Sequence, residues 1–80
     1  MTVYICKVFD GKLGEWVVIG VFSNCAKAME NGTRYIMSVC DTVEMLDWEY
    51  TEDVYIDWYN SQDYGFTREI TKCQINKALA

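Results

Sequence analysis

Twelve aspartate and glutamate side chains, four cysteines and no histidine set the chemistry open to this 80-residue chain. Without an imidazole the commonest general base is missing, and no serine or cysteine can be paired with one to make an acyl-transfer nucleophile. Paired carboxylates remain, Asp47 with Glu49 and Glu52 with Asp53, the residue types that hold magnesium or divide acid and base roles. Nothing adjacent in sequence supplies an apolar pocket to raise a pKa, so these pairs read as a solvated face. The interval from Asp41 to Glu52 has the length of a calcium loop, but Val43, Met45 and Leu46 stand where oxygen ligands and a glycine are required. Gly11, Gly14 and Gly20 are too few and wrongly spaced to cradle phosphate. Cys6, Cys25, Cys40 and Cys73 lack the close pairing of a zinc site, and without a signal peptide they read as reduced thiols, not as two disulfides. The expectation is a protein with no catalytic residues, no metal and no cofactor.

The positive signal is the stretch "DWEYTEDVYIDWY", Asp47 to Tyr59, which holds five acidic and five aromatic residues and no cation. It lies within a longer run in which Asp41, Glu44, Asp47, Glu49, Glu52, Asp53, Asp57 and Asp63 stand between Arg34 and Arg68 with no basic residue among them. A local charge of about −8, against −5 for the whole chain, repels nucleic acid and attracts basic protein surfaces. Within the stretch, Val54, Ile56 and Trp58 alternate with Tyr55, Asp57 and Tyr59, which predicts a half-buried strand with the first set inward and the second outward. Rings beside carboxylates on an exposed face suit an interface. The candidate partner-binding residues are therefore Asp47, Glu49, Tyr50, Glu52, Asp53, Tyr55, Asp57, Tyr59 and Asp63. The same composition also serves solubility, with Trp48 and Trp58 as packing residues, and that reading stands beside the first.

The elements that must position these residues belong to one domain, 1–80, because a chain this short supports a single modest core. Hydrophobic residues at 51% are enough for that core to form. "TVYICKVF" and "EWVVIGVF" read as a hairpin across "DGKLGE", with Asp10, Gly11 and Gly14 supplying positive-φ positions. The unbroken apolar run "VVIGV" predicts that the second strand is central or covered on both faces. Ser23 and Asn24 are good N-caps for a helix whose apolar face runs through Cys25, Ala28, Met29, Gly32, Ile36 and Val39, continuing past Gly32 to about Ser38. "LDWEY" reads as a short extra strand, and strands near 54–59 and 66–75 as a second hairpin. The order β-β-α-β-β, with four to five strands, predicts an α+β fold: one twisted, mainly antiparallel sheet with a single helix across one face. No stretch approaches the ~20 apolar residues of a membrane helix, and no secretory signal is visible, which predicts a cytoplasmic protein.

The first half, from Val3 to about Gly32, resembles a pattern in small phage proteins of unassigned function, in which a hairpin ends in "IGVFS" and feeds a helix capped at that serine. "GFTREITKCQI" echoes their closing strand, whereas the acidic segment between Val39 and Gly65 departs from the pattern. In general character the chain is similar to anti-CRISPR and other anti-defence inhibitors. The resemblance implies a non-enzymatic inhibitor in the host cell cytoplasm, acting on a basic, nucleic-acid-handling defence protein. The alternatives are a homo-oligomeric accessory protein, a homodimer for instance, and a small-ligand or nucleotide-sequestering protein. Direct binding to nucleic acid or membrane is not expected.

Overall fold

In the computed structural model, which describes residues 1–75, strand β1 (Thr2–Asp10) turns into β2 (Glu15–Phe22), and helix α1 (Cys25–Val39) follows. Strands β3 (Glu44–Tyr50), β4 (Val54–Asn60) and β5 (Gly65–Gln74) complete the order. All five strands join one antiparallel sheet, ordered β2-β1-β5-β4-β3, with the single helix on one face. The α+β class expected from the sequence is the class observed. The centre strand, β5, is hydrogen-bonded on both sides, to β4 and to β1, so the first and the last strands of the described residues are neighbours.

The "VVIGV" strand is not central. β2 is an edge strand, and Val18 and Val21 on the face away from the helix are 69% and 61% exposed. The continuous apolar run has a different cause: the register jumps from Cys6 opposite Gly20 to Lys7 opposite Val18, leaving Ile19 as the extra residue of a bulge. Ile19 packs into the core there, so the strand's alternation is broken by one residue.

Helix α1 is capped by Asn24, not by the serine before it: the Asn24 side chain accepts the Lys27 N–H at 2.8 Å. It continues through Gly32, and its buried stripe of Ala28, Gly32 and Ile36 lies at the spacing of one helical face. One core cluster joins Ala28 to Cys6 and Ile70, and the other joins Ile36 to Val8 and Phe66. The helix backbone approaches β1, β2 and β5 and neither β3 nor β4, so two of the five strands have no helix above them.

In the β1–β2 loop only Gly14 takes a positive φ, of 76°. Gly11 is needed for a different reason, because a Cβ there would collide with the backbone of Gly65, to which its N–H donates at 2.9 Å. Asp10 keeps to negative φ and is buried. Its Oδ1 accepts the N–H groups of Lys12 and Leu13 at 2.8 and 3.2 Å, and its Oδ2 accepts the Tyr35 hydroxyl at 2.7 Å. Burial disfavours this charge, but the bond from Tyr35 and the two backbone donors outweigh it and hold the carboxyl below the usual range.

Candidate interaction surface

β4 presents its faces in the opposite sense to the one its sequence suggested. Tyr55, Asp57 and Tyr59 point to the helix side, and Val54, Ile56 and Trp58 lie on the open face. The inversion follows from Arg68, which stands directly opposite Asp57 in the β4–β5 register. Asp57 is 0% and Arg68 3% exposed. A buried guanidinium requires acceptors for all five N–H groups, and here each has one. Nε donates to Asp57 Oδ1 at 3.0 Å and one Nη2 proton goes to Asp57 Oδ2. The other Nη2 proton goes to the Tyr59 hydroxyl at 2.8 Å. Nη1 donates to the Met29 carbonyl at 2.8 Å and to Thr33 Oγ1 at 2.7 Å. Asp57 Oδ2 also accepts the Tyr55 and Tyr59 hydroxyls at 2.9 and 2.8 Å.

The electrostatics follow from that geometry. Burial works against the Arg68 charge, but hydrogen bonding to Asp57 and the aspartate's own charge outweigh it and raise the guanidinium above its ordinary value. Burial, and then the bond to Asp57, push the Tyr59 phenol up to about 12, and the same two causes raise Tyr55. This network ties β4 to the helix, which no backbone contact does, through Arg68 of β5. Its role is to fix the ribbon of β3 and β4, and Asp57 is not available to a partner.

β3 is the outer strand of that ribbon and is exposed along its whole length, resting on β4 alone. Opposite Asp57 and Tyr55 in register are Trp48 and Tyr50, which places those two rings on the helix side beyond the reach of the helix. Trp48 stacks on Tyr50 with centroids 6.0 Å apart and on Tyr55 at 6.4 Å, yet Trp48 and Tyr50 remain 52% and 70% exposed. Asp47 and Glu49 face the open side, opposite Trp58 and Ile56. Acids and rings are therefore sorted onto the two faces of one strand.

The remaining candidates fall at the ribbon's ends. Glu52 and Asp53 are exposed in the β3–β4 turn, beside a cleft of about 370 Å³ that Tyr4, Tyr50, Tyr55 and Ile70 also line. Asp63 is exposed in the β4–β5 turn at the other end, by Asp41 and Glu44. Of the nine residues singled out from sequence, Asp47, Glu49, Tyr50, Glu52 and Asp53 lie on or beside β3. Tyr55 and Tyr59 are half-buried with their hydroxyls engaged, and Asp63 stands apart.

No protein-family model, curated protein or solved structure matches this chain.

Trp48, a packing residue on the sequence alone, is the centre of the exposed aromatic stack. The signal was present in "DWEY", since period-two alternation puts Trp48 with Tyr50 and Asp47 with Glu49. Met45 and Leu46 are also exposed, and Leu46 is the extra residue of a bulge where the register skips from Met45 to Asp47.

Proposed function

We propose that the chain is a non-enzymatic binding protein that presents its β3–β4 ribbon to a basic protein surface, of the kind found on proteins that handle nucleic acid, and blocks it as anti-defence inhibitors do. The observation that carries this reading is β3 itself: a strand touching only its neighbour β4, with no cation, two exposed stacked rings on one face and the carboxylates of Glu44, Asp47 and Glu49 on the other. Exposed aromatic groups supply contact area, and the acids supply attraction and orientation toward a cationic partner. Affinity capture from a cell lysate at low and high salt, with the parent and with a Trp48→Ala, Tyr50→Ala variant, tests it. A partner held by the parent, released by salt and lost with the variant supports the reading. Capture that ignores both changes refutes it.

A second reading, self-association, draws on a separate observation. The face of the sheet away from the helix is uncovered, and at its β2 end Trp16, Val18 and Val21 are exposed. Two β3 edges would bring carboxylates against carboxylates, so a dimer would use the β2 end. Light scattering across a concentration series distinguishes a monomer from such a dimer.

A further inference from the structure

We infer that β3 takes its partner by strand addition, and that the segment it accepts is an extended one in which cationic and apolar side chains alternate. The inference rests on the binding function proposed above and specifies its mode. Its basis is the phase of the ladder. The Thr51 N–H donates to the Val54 carbonyl at 2.8 Å across the two-residue turn, which makes that pair a hydrogen-bonded one. In an antiparallel ladder such pairs alternate with non-bonded ones, so Glu49 opposite Ile56 and Asp47 opposite Trp58 bond inward to β4. Trp48 and Tyr50 sit at the intervening positions, and their N–H and C=O groups point out from the sheet edge. The Trp48 N–H is held by the Asp47 carboxylate at 2.8 Å, which confirms the outward direction and gives the empty edge an internal stand-in for a strand.

The side chains specify the occupant. A strand laid on this edge continues the pleat, so its residues opposite Trp48 and Tyr50 fall on the ring face, and those opposite Asp47 and Glu49 fall on the acid face. The first set should be apolar or aromatic and the second lysine or arginine. A second copy of β3 is the wrong occupant, because it would set Asp47 and Glu49 against acids of its own kind. The β2 edge is the weaker alternative, since Glu15 is its one carboxylate and nothing else on that strand would select a cation.

Synthetic peptides of one composition, lysine alternating with valine and tyrosine or the same residues in separate blocks, are titrated into the full chain while amide exchange is followed by NMR. The expected result is tighter binding of the alternating peptide and exchange at the Tyr50 and Trp48 amides slowed by about tenfold or more. N-methylation of the peptide residues that pair with Trp48 and Tyr50 should abolish binding, whereas methylation of the intervening residues should not. Equal binding of alternating and block peptides with unchanged Tyr50 exchange overturns strand addition and leaves the electrostatic reading of function in place. If no cationic peptide binds even at low salt, both fall.

Discussion

Gly32 of α1 lies directly over Arg68: a Cβ at position 32 would stand 2.6 Å from Arg68 Cδ and 3.0 Å from Cys6 Sγ. The arginine stem passes beneath the helix only because this position has no side chain. Gly32→Ala should gain about 1 kcal/mol in helix propensity and lose about 1–3 kcal/mol to overpacking, because a guanidinium fixed by five hydrogen bonds cannot step aside. A lower urea midpoint is the expected outcome, and a raised one would show that the stem moves freely.

Removing one partner of the Asp57–Arg68 pair should be far worse than removing both. Asp57→Leu or Arg68→Met leaves a buried group uncompensated and should cost about 3–5 kcal/mol, whereas the two together should cost well under the sum of the singles. Chemical denaturation of the three variants measures the coupling.

Alkali should unfold the protein through its tyrosines. Burial and the bond to Asp57 hold the Tyr59 proton to about 12, and the bond to Asp10 followed by burial does the same for Tyr35; unfolded phenols titrate at about 10. Between those values the folded state binds more protons than the unfolded one. The contribution is therefore complete below about pH 10 and is lost as pH rises toward about 12. Urea midpoints should fall over that interval, and by less in Tyr59→Phe.

Asp47→Asn with Glu49→Gln should leave stability within about 0.5 kcal/mol of the parent, since both acids are exposed. Binding of a cationic partner should slow in association more than it quickens in dissociation, while Tyr50→Ala should act on dissociation. Surface-plasmon kinetics separate the two effects.

Neither single-stranded nor double-stranded nucleic acid should shift in a mobility assay at physiological salt. Tight, salt-sensitive binding would contradict the acidic-surface reading.

The hairpin, the helix through Gly32 and the closing strands were legible because their signals are local: β-branched runs, a capping residue and an apolar stripe that holds its phase. The faces of β4 were not. Alternation in "VYIDWY" fixes which residues share a face, but hydrophobicity alone assigns Val54, Ile56 and Trp58 to the core. The opposite choice depends on Arg68, eleven positions beyond Asp57, arriving in register on the next strand. A buried arginine needs a carboxylate more than the core needs a tryptophan, and that preference is written in pairing, not in pattern. Trp58 consequently lies half-buried on the open face near Phe9 and Leu46. The edge position of β2 was hidden for a related reason, because a bulge makes an exposed strand look continuously apolar.

The strand order also has a kinetic consequence. β1 pairs with β5, and Thr2 lies opposite Gln74, 72 positions away. The β1–β2 hairpin with its helix, and the meander of β3, β4 and β5, are each built from neighbours in sequence and close short loops. The sheet that unites them forms only when its last strand reaches its first, which places the largest loop-closure entropy at the centre of the molecule. Domains dominated by such distant pairing fold in about milliseconds to seconds, not microseconds. During synthesis β1 has only β2 beside it until β5 has left the ribosome, so its other edge waits unpaired for nearly the whole length of the chain.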